Sequence, residues 1–110
     1  MTDYPQLQEL ELLHANICRA IGDPRRIQIL YALHSQSCHV TALSERLDIP
    51  QPTVSRHLSV LRQSGLVASE RDGAAVNYRL TDPRVIEILD RMRAILRDSL
   101  ERRSNIMQAD

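Results

Sequence analysis

The chain has no lysine, no tryptophan and no phenylalanine; all 14 of its basic residues are arginine, and three tyrosines make up its aromatic content. Without large aromatic rings the core has to be built from Leu, Ile, Val and Ala. In 110 residues that means one domain, 1–110, with one modest core. Such a core is marginal alone, and association of two chains is a common remedy. The three glycines, at 22, 65 and 73, each fall at a boundary or turn, so no glycine-rich phosphate loop exists. No Ser/His/Asp grouping in credible order and no paired-carboxylate signature occurs either, and an enzyme is not expected. Two cysteines, Cys18 and Cys38, are too few to staple a secreted mini-domain. In a reducing compartment they are free thiols, sensors or metal ligands. No apolar run approaches the roughly 18 residues that span a bilayer. The first residues, MTDYPQLQELEL, lack the basic and apolar regions of a signal peptide. The expected setting is the cytoplasm, with no membrane partner. Charge of either sign is not in excess: 14 acids balance 14 bases. That argues mildly against a nucleic-acid partner, but distribution matters more than the sum. Exclusive use of arginine suits phosphate and guanine edges, although genomic base composition explains it as well.

The distribution is uneven at 51–67, QPTVSRHLSVLRQSGLV. Val54, Leu58 and Leu61 recur at i, i+4 and i+7 and make one helical face apolar. The opposite face carries Pro52, Arg56, Ser59 and Gln63, flanked by Thr53 and Ser55. No acid occurs between Asp48 and Glu70. Hydroxyls, amides and a guanidinium on such a face can reach base edges and phosphates in a DNA groove.

The rest of the chain supplies a frame. Residues 6–21 read as a first helix with Leu10, Leu13, Ile17 and Ile21 on one face, ended by Gly22. Asp23-Pro24 starts a second helix as N-cap and N1, with Ile27, Leu30, Tyr31 and Leu33 inward. Residues 35–39 read as a connection. Thr41 is expected to cap a third helix with Leu43 and Leu47 inside, and Asp48-Ile49-Pro50 is a tight turn. Residues 41–64 thus form a helix–turn–helix. Residues 66–81 read as a two-stranded hairpin, with Asp72-Gly73 in a loop that Ala74-Ala75 make longer than two residues. Asp82-Pro83 starts a last helix over 83–102, followed by a frayed tail, 104–110. Val85, Ile86, Ile88, Leu89, Met92, Ile95, Leu96 and Leu100 cover more than one stripe of it, and a subunit interface explains the surplus. The expected fold is mainly α (α+β): a winged helix–turn–helix of about five helices plus a two-stranded wing, homodimeric.

These residues resemble the ArsR/SmtB family of bacterial transcriptional repressors. The resemblance rests on Ile21-Gly22-Asp23-Pro24-Arg25-Arg26-Ile27 through Leu33 and on residues 49–58 (IPQPTVSRHL). It continues with Leu61-Arg62, Gly65-Leu66-Val67 and a wing ending in Tyr78-Arg79-Leu80. It implies a homodimer built from 6–21 and 83–102 that binds an inverted-repeat operator in double-stranded DNA and is released by a signal. A twofold dimer places its recognition helices about 34 Å apart, in successive major grooves.

Gln51, Thr53, Ser55, Arg56 and Ser59 are the candidate base or phosphate contacts. His57 lies at the flank of the apolar stripe and reads equally as a packing residue or a DNA contact. Arg62, Arg71 and Arg79 are candidate phosphate clamps, each with exposed arginine as the plain alternative. The signal is harder to place. The family's Cys-Val-Cys metal motif aligns with His39-Val40-Thr41, which lacks both cysteines. Its last-helix Asp-x-His motif matches neither Asp82-Pro83-Arg84 nor Asp90-Arg91-Met92, and no histidine follows His57. Neither family metal site carries over. Cys18 and Cys38 remain as sensing candidates, with His14 and His39 as weak additional ligands; a soft metal or metalloid is the cofactor class left open. His14 and Cys18 stand i, i+4 on one helix, but a boundary histidine explains His14 better than a ligand does, and a core thiol explains Cys18 equally. At 1.5 Å per residue the second helix separates the cysteines by well over 10 Å, whereas a disulfide needs Cα atoms within roughly 7 Å. A pair across the dimer is less constrained. A thiol signal (oxidant, reactive sulfur, soft metal or metalloid) stands narrowly first. The alternatives are a repressor that answers a protein or small ligand without its cysteines, and a dimeric interaction module that does not bind DNA.

Overall fold

The computed structural model describes residues 3–108. Helix α1, Leu7–Leu13, runs into a π-helical turn, His14–Cys18, before the first helix ends at Ala20. Asn16 explains the widened turn. Its Nδ2 donates to Leu12 O at 2.8 Å, taking a carbonyl that the regular ladder would use, and the Arg19 N–H reaches back five residues to His14 O. A side chain inserted in the i→i−4 ladder distorts a helix in this way. Gly22 does close the helix, but not as a left-handed cap, since only Gly65 and Gly73 among the described glycines have positive φ. A Cβ at Gly22 would lie 3.2 Å from Cys18 O and 3.3 Å from Arg19 O, so a side chain here would crowd the last turn of the helix.

Helix α2, Pro24–Ser35, starts as expected: the Asp23 carboxylate accepts from the Arg25 and Arg26 N–H groups at 2.8 and 3.2 Å, and Pro24 occupies the first turn. Its inner face includes the expected Leu30 and Leu33 and is extended by Ile29 and Ala32. Ile29, Leu30, Ala32 and Leu33 are buried, while Ile27 and Tyr31 are only partly so. Tyr31 instead reaches outward along α5, its hydroxyl donating to Asp90 Oδ1 at 2.6 Å.

The stretch read as a connection contains a strand, β1, Cys38–His39. Helix α3, Val40–Leu47, follows at once with His39 as N-cap and no side-chain cap bond, so Thr41 lies inside the first turn and does not cap it. Leu43 is fully buried and Leu47 packs at the edge of the core. Asp48, at φ 54°, takes the left-handed conformation that ends α3; Asp tolerates it better than most residues. The Ser44 hydroxyl donates to Ile49 O at 2.5 Å and the Ile49 N–H to Ser44 O at 3.1 Å, which fixes the turn into α4, Gln51–Gln63. At the far end of α4, Leu66 N–H bonds Leu61 O at 3.0 Å and Gly65 N–H bonds Arg62 O at 3.0 Å, with Gly65 at φ +82°. This is the Schellman pattern, with the buried pair Leu61 and Leu66 closing it.

Strands β2, Val67–Asp72, and β3, Ala75–Leu80, form the wing. Asp72 pairs with Ala75, so the loop is two residues, Gly73-Ala74, shorter than expected. Positive φ at Gly73 alone is the type II′ pattern that matches strand twist. β1 adds to the other edge of β3, with Cys38 opposite Tyr78 and His39 opposite Asn77, giving a three-stranded sheet in the order β1-β3-β2. Helix α5, Arg84–Gln108, extends past the expected 102, so the tail is helical through 108, and the last two residues of the expected frayed segment lie outside the described ones. Asp82 leads in as expected, accepting from Arg84 N at 3.0 Å and from its guanidinium at 2.7 Å. Those bonds push the Asp82 carboxyl down to about 2.

The core lies where α2, α3, α4, the wing base and the start of α5 meet. The first helix buries nothing before Ala20, and α5 buries only Val85, Ile86 and Leu89. Both helices therefore project, and the radius of gyration, 17.3 Å, exceeds the about 13 Å of a compact chain of this size. Leu58 is 1% exposed at the centre of α4's inner face. Leu58→Ala is expected to destabilise the fold by about 2–5 kcal/mol, measured as a lowered urea midpoint.

Candidate nucleic-acid interface

Burial of Val54, Leu58 and Leu61 decides which way α4 faces. Gln51, Pro52, Ser55, Arg56, Ser59, Arg62 and Gln63 are consequently exposed, and Thr53 is half-buried. Arg56 Nη2 donates to Thr53 Oγ1 at 3.2 Å, one turn earlier, which holds the guanidinium along the helix. No side chain caps the α4 N-terminus, where Pro50 is the N-cap residue. Its partial positive charge faces out beside these groups.

His57 is different. Its side chain is only 16% exposed. Nδ1 lies 3.4 Å from Arg26 Nη1, and Nε2 lies 3.9 Å from Asp23 Oδ1. The ring faces the start of α2. Burial raises the Asp23 carboxyl, but hydrogen bonds from the Arg26 and Arg25 N–H groups and the nearby Arg26 charge outweigh it and hold the group below the usual carboxylate range. Sequence reasoning missed Arg26 altogether. It read Asp23-Pro24-Arg25-Arg26 as a helix start, and nothing in helical period tells that Arg26 turns back.

On the wing, Arg71 is exposed beside the hairpin loop, with no acidic partner among the described residues. Arg79 is committed: its Nε donates to Glu70 Oε1 at 3.2 Å on the neighbouring strand. Asp72, the acid at the wing tip, is engaged by His39 Nε2 at 3.2 Å.

The sensing candidates are not gathered. Cys18 is exposed at the end of the π-helical turn that also holds His14, and Cys38 is half-buried on β1. Both are free thiols. Cys38 Sγ lies 3.6 Å from Arg46 Nη1, and His39 Nε2 is engaged by Asp72 Oδ2 at 3.2 Å. Among the described residues no group of three or more His, Cys, Asp or Glu side chains is placed to hold a metal within one chain.

The fold and this face together define a winged helix–turn–helix protein, with α3 and α4 as the motif and β2–β3 as the wing. The chain belongs to the arsR family of bacterial regulatory proteins, whose family model matches residues 23–69. It is 38% identical over 88 residues to the HTH-type transcriptional repressor SmtB of Mycobacterium tuberculosis, covering 78% of this chain and 65% of that protein. It thus spans slightly less than two thirds of SmtB's length. It is 37% identical over 92 residues to the transcriptional activator HlyU of Vibrio cholerae, covering 78% of this chain and 85% of that one. The crystal structure of NolR from Sinorhizobium fredii superposes with a TM-score of 0.73 at 29% identity, over 86% of this chain and 95% of that one. No helix among the described residues is long and apolar enough to cross a membrane.

Proposed function

We propose that the protein is a cytoplasmic transcriptional regulator that binds an inverted-repeat DNA operator as a homodimer, represses while bound, and lets go on a signal. The observation that carries this reading is the division of α4 into a buried apolar face and an exposed, polar, acid-free one. Gln51, Thr53, Ser55, Arg56 and Ser59 reach base edges or phosphates in the major groove, and Arg62 and Arg71 clamp phosphates on either side. Arg79 joins them only by releasing Glu70. Support for the dimer comes from the first helix, where Leu7, Leu10 and Leu13 are exposed, and from α5, where Met92, Leu96 and Leu100 are exposed along one face. Apolar surface on this scale marks an interaction site, and pairing these two helices with those of a second copy covers it.

The signal in this reading is chemical change at Cys18 and Cys38: oxidation, reaction with reactive sulfur, or capture of a soft metal or metalloid by thiolates. A pair drawn from two subunits suits the separate placement of the two thiols on the first helix and β1. A second reading, release by a small apolar ligand with no cysteine role, is favoured by a cleft of about 300 Å³. Leu13 and Ile17 of the first helix, Leu66, and Val85 and Ile88 of α5 line it, with the Asp82–Arg84 pair at its side.

Two measurements test the proposal on a duplex selected from a random-sequence pool. Arg56→Ala is expected to weaken binding at fixed salt by about 1–3 kcal/mol and to relax sequence preference, while Arg71→Ala lowers the salt slope by about one unit. Unchanged affinity in both variants removes α4 and the wing from the DNA interface. The parent is then expected to release the duplex on exposure to an oxidant, sulfane sulfur or arsenite, and Cys18→Ser and Cys38→Ser to stay bound. Release by both variants like the parent under every inducer overturns the thiol signal.

A further inference from the structure

Arg26 joins three elements by hydrogen bonds, the end of the first helix, the start of α2 and α4, beside the apolar core they share. Its Nε donates to Ala20 O at 2.7 Å and its Nη2 to Arg19 O at 3.0 Å, the last carbonyls of the first helix. Its own backbone N–H is part of the Asp23 cap at the start of α2. Its Nη1 meets His57 Nδ1 at 3.4 Å, on α4. A guanidinium only donates, so Nδ1 is the acceptor and the ring carries its proton on Nε2. That nitrogen faces Asp23 Oδ1 at 3.9 Å. The planar fork is stiff, and its donors are spent on three directions at once. An open cleft lined by Ala15, Asn16, Val60 and Gln63 runs between the first helix and α4. The cleft leaves room for the two helices to shift, and the Arg26 fork opposes that shift.

We infer that Arg26 and His57 are positioning residues for DNA binding: the Arg26 guanidinium locks the end of the first helix to the recognition helix through His57, and neither side chain touches the duplex. The inference rests on the DNA-binding reading above and deepens it. It removes His57 from the DNA contacts suggested by its place in α4. It also supplies a mechanical path from the first helix to the groove. The π-helical turn ends at Cys18, and the next two carbonyls are the pair that Arg26 holds. Any rearrangement of that turn moves both carbonyls, and the fork carries the movement to α4.

The test is a set of full-length variants titrated against the selected duplex at several salt concentrations, with thermal melts to confirm folding. Arg26→Gln and His57→Ala are each expected to weaken binding about tenfold, within the range reached by residues that touch neither ligand. The salt slope should stay that of the parent, and the double variant should be no weaker than the worse single one. A direct phosphate contact predicts a slope lower by about one unit and losses that multiply. Conservative changes keep the test open if those variants are unstable. His57→Asn places an amide oxygen near the Nδ1 position and is expected to bind better than His57→Gln, whose amide reaches toward the Nε2 position. The reverse order overturns the inference, as do variants that bind like the parent. A parent that selects no duplex removes the DNA-binding reading first, and this inference with it.

Discussion

Burial of Val54, Leu58 and Leu61 is the constraint on which the rest of the structure depends. These three side chains are at most 1% exposed. They set the rotation of α4 about its own axis, and everything on the outer face follows from that rotation. The turn before α4 is held by Ser44 and Ile49, and the turn after it by Gly65 and Leu66. Both ends are therefore fixed to the same core that the inner face fills. A helix held at both ends and along one side presents Gln51, Ser55, Arg56 and Ser59 at a defined height above the domain. Groove recognition needs that kind of preorganised surface.

The second physical fact is the apolar surface that the single chain leaves uncovered. The wing and the three inner helices share one small aliphatic core, but the first helix and the outer length of α5 do not join it. The same stripe of α5 that buries Val85 and Leu89 continues outward through Met92, Leu96 and Leu100 into solvent. In the proposed dimer, a second copy covers this surface. The helix proposed to read DNA and the helices proposed to join subunits are separate, and Arg26 hydrogen-bonds the end of the first helix while contacting His57 on α4.

What was legible in the sequence was whatever obeyed a short period or a fixed local chemistry. The Val54–Leu58–Leu61 stripe, the Asp23-Pro24 and Asp82-Pro83 starts and the wing strands all came from spacing. Features without such a signature were missed. Strand β1 is two residues long, too short for alternation to show, and it exists because β3 offers it an edge. The π-helical turn comes from one asparagine side chain competing for a carbonyl, which apolar periodicity does not record. Thr41 looks like a cap by residue type, but the N-cap is His39, two residues earlier, and the helix begins at Val40 directly from the strand. His57 could be read two ways because its neighbours in space, Asp23 and Arg26, lie about thirty residues back along the chain. The sensing residues are the least legible part. Cys18 and Cys38 have no shared motif, and one chain does not bring them together with other ligands.

The central claim is that two copies of α4, related by a twofold axis, read DNA through the face opposite Val54, Leu58 and Leu61. The most direct measurement is a nuclease footprint of the protein on its selected duplex, repeated after half a helical turn is inserted between the two half-sites. The account predicts two symmetric protected segments centred about 10 base pairs apart, with protection lost on the insertion. A single asymmetric segment, or protection indifferent to the insertion, would contradict it.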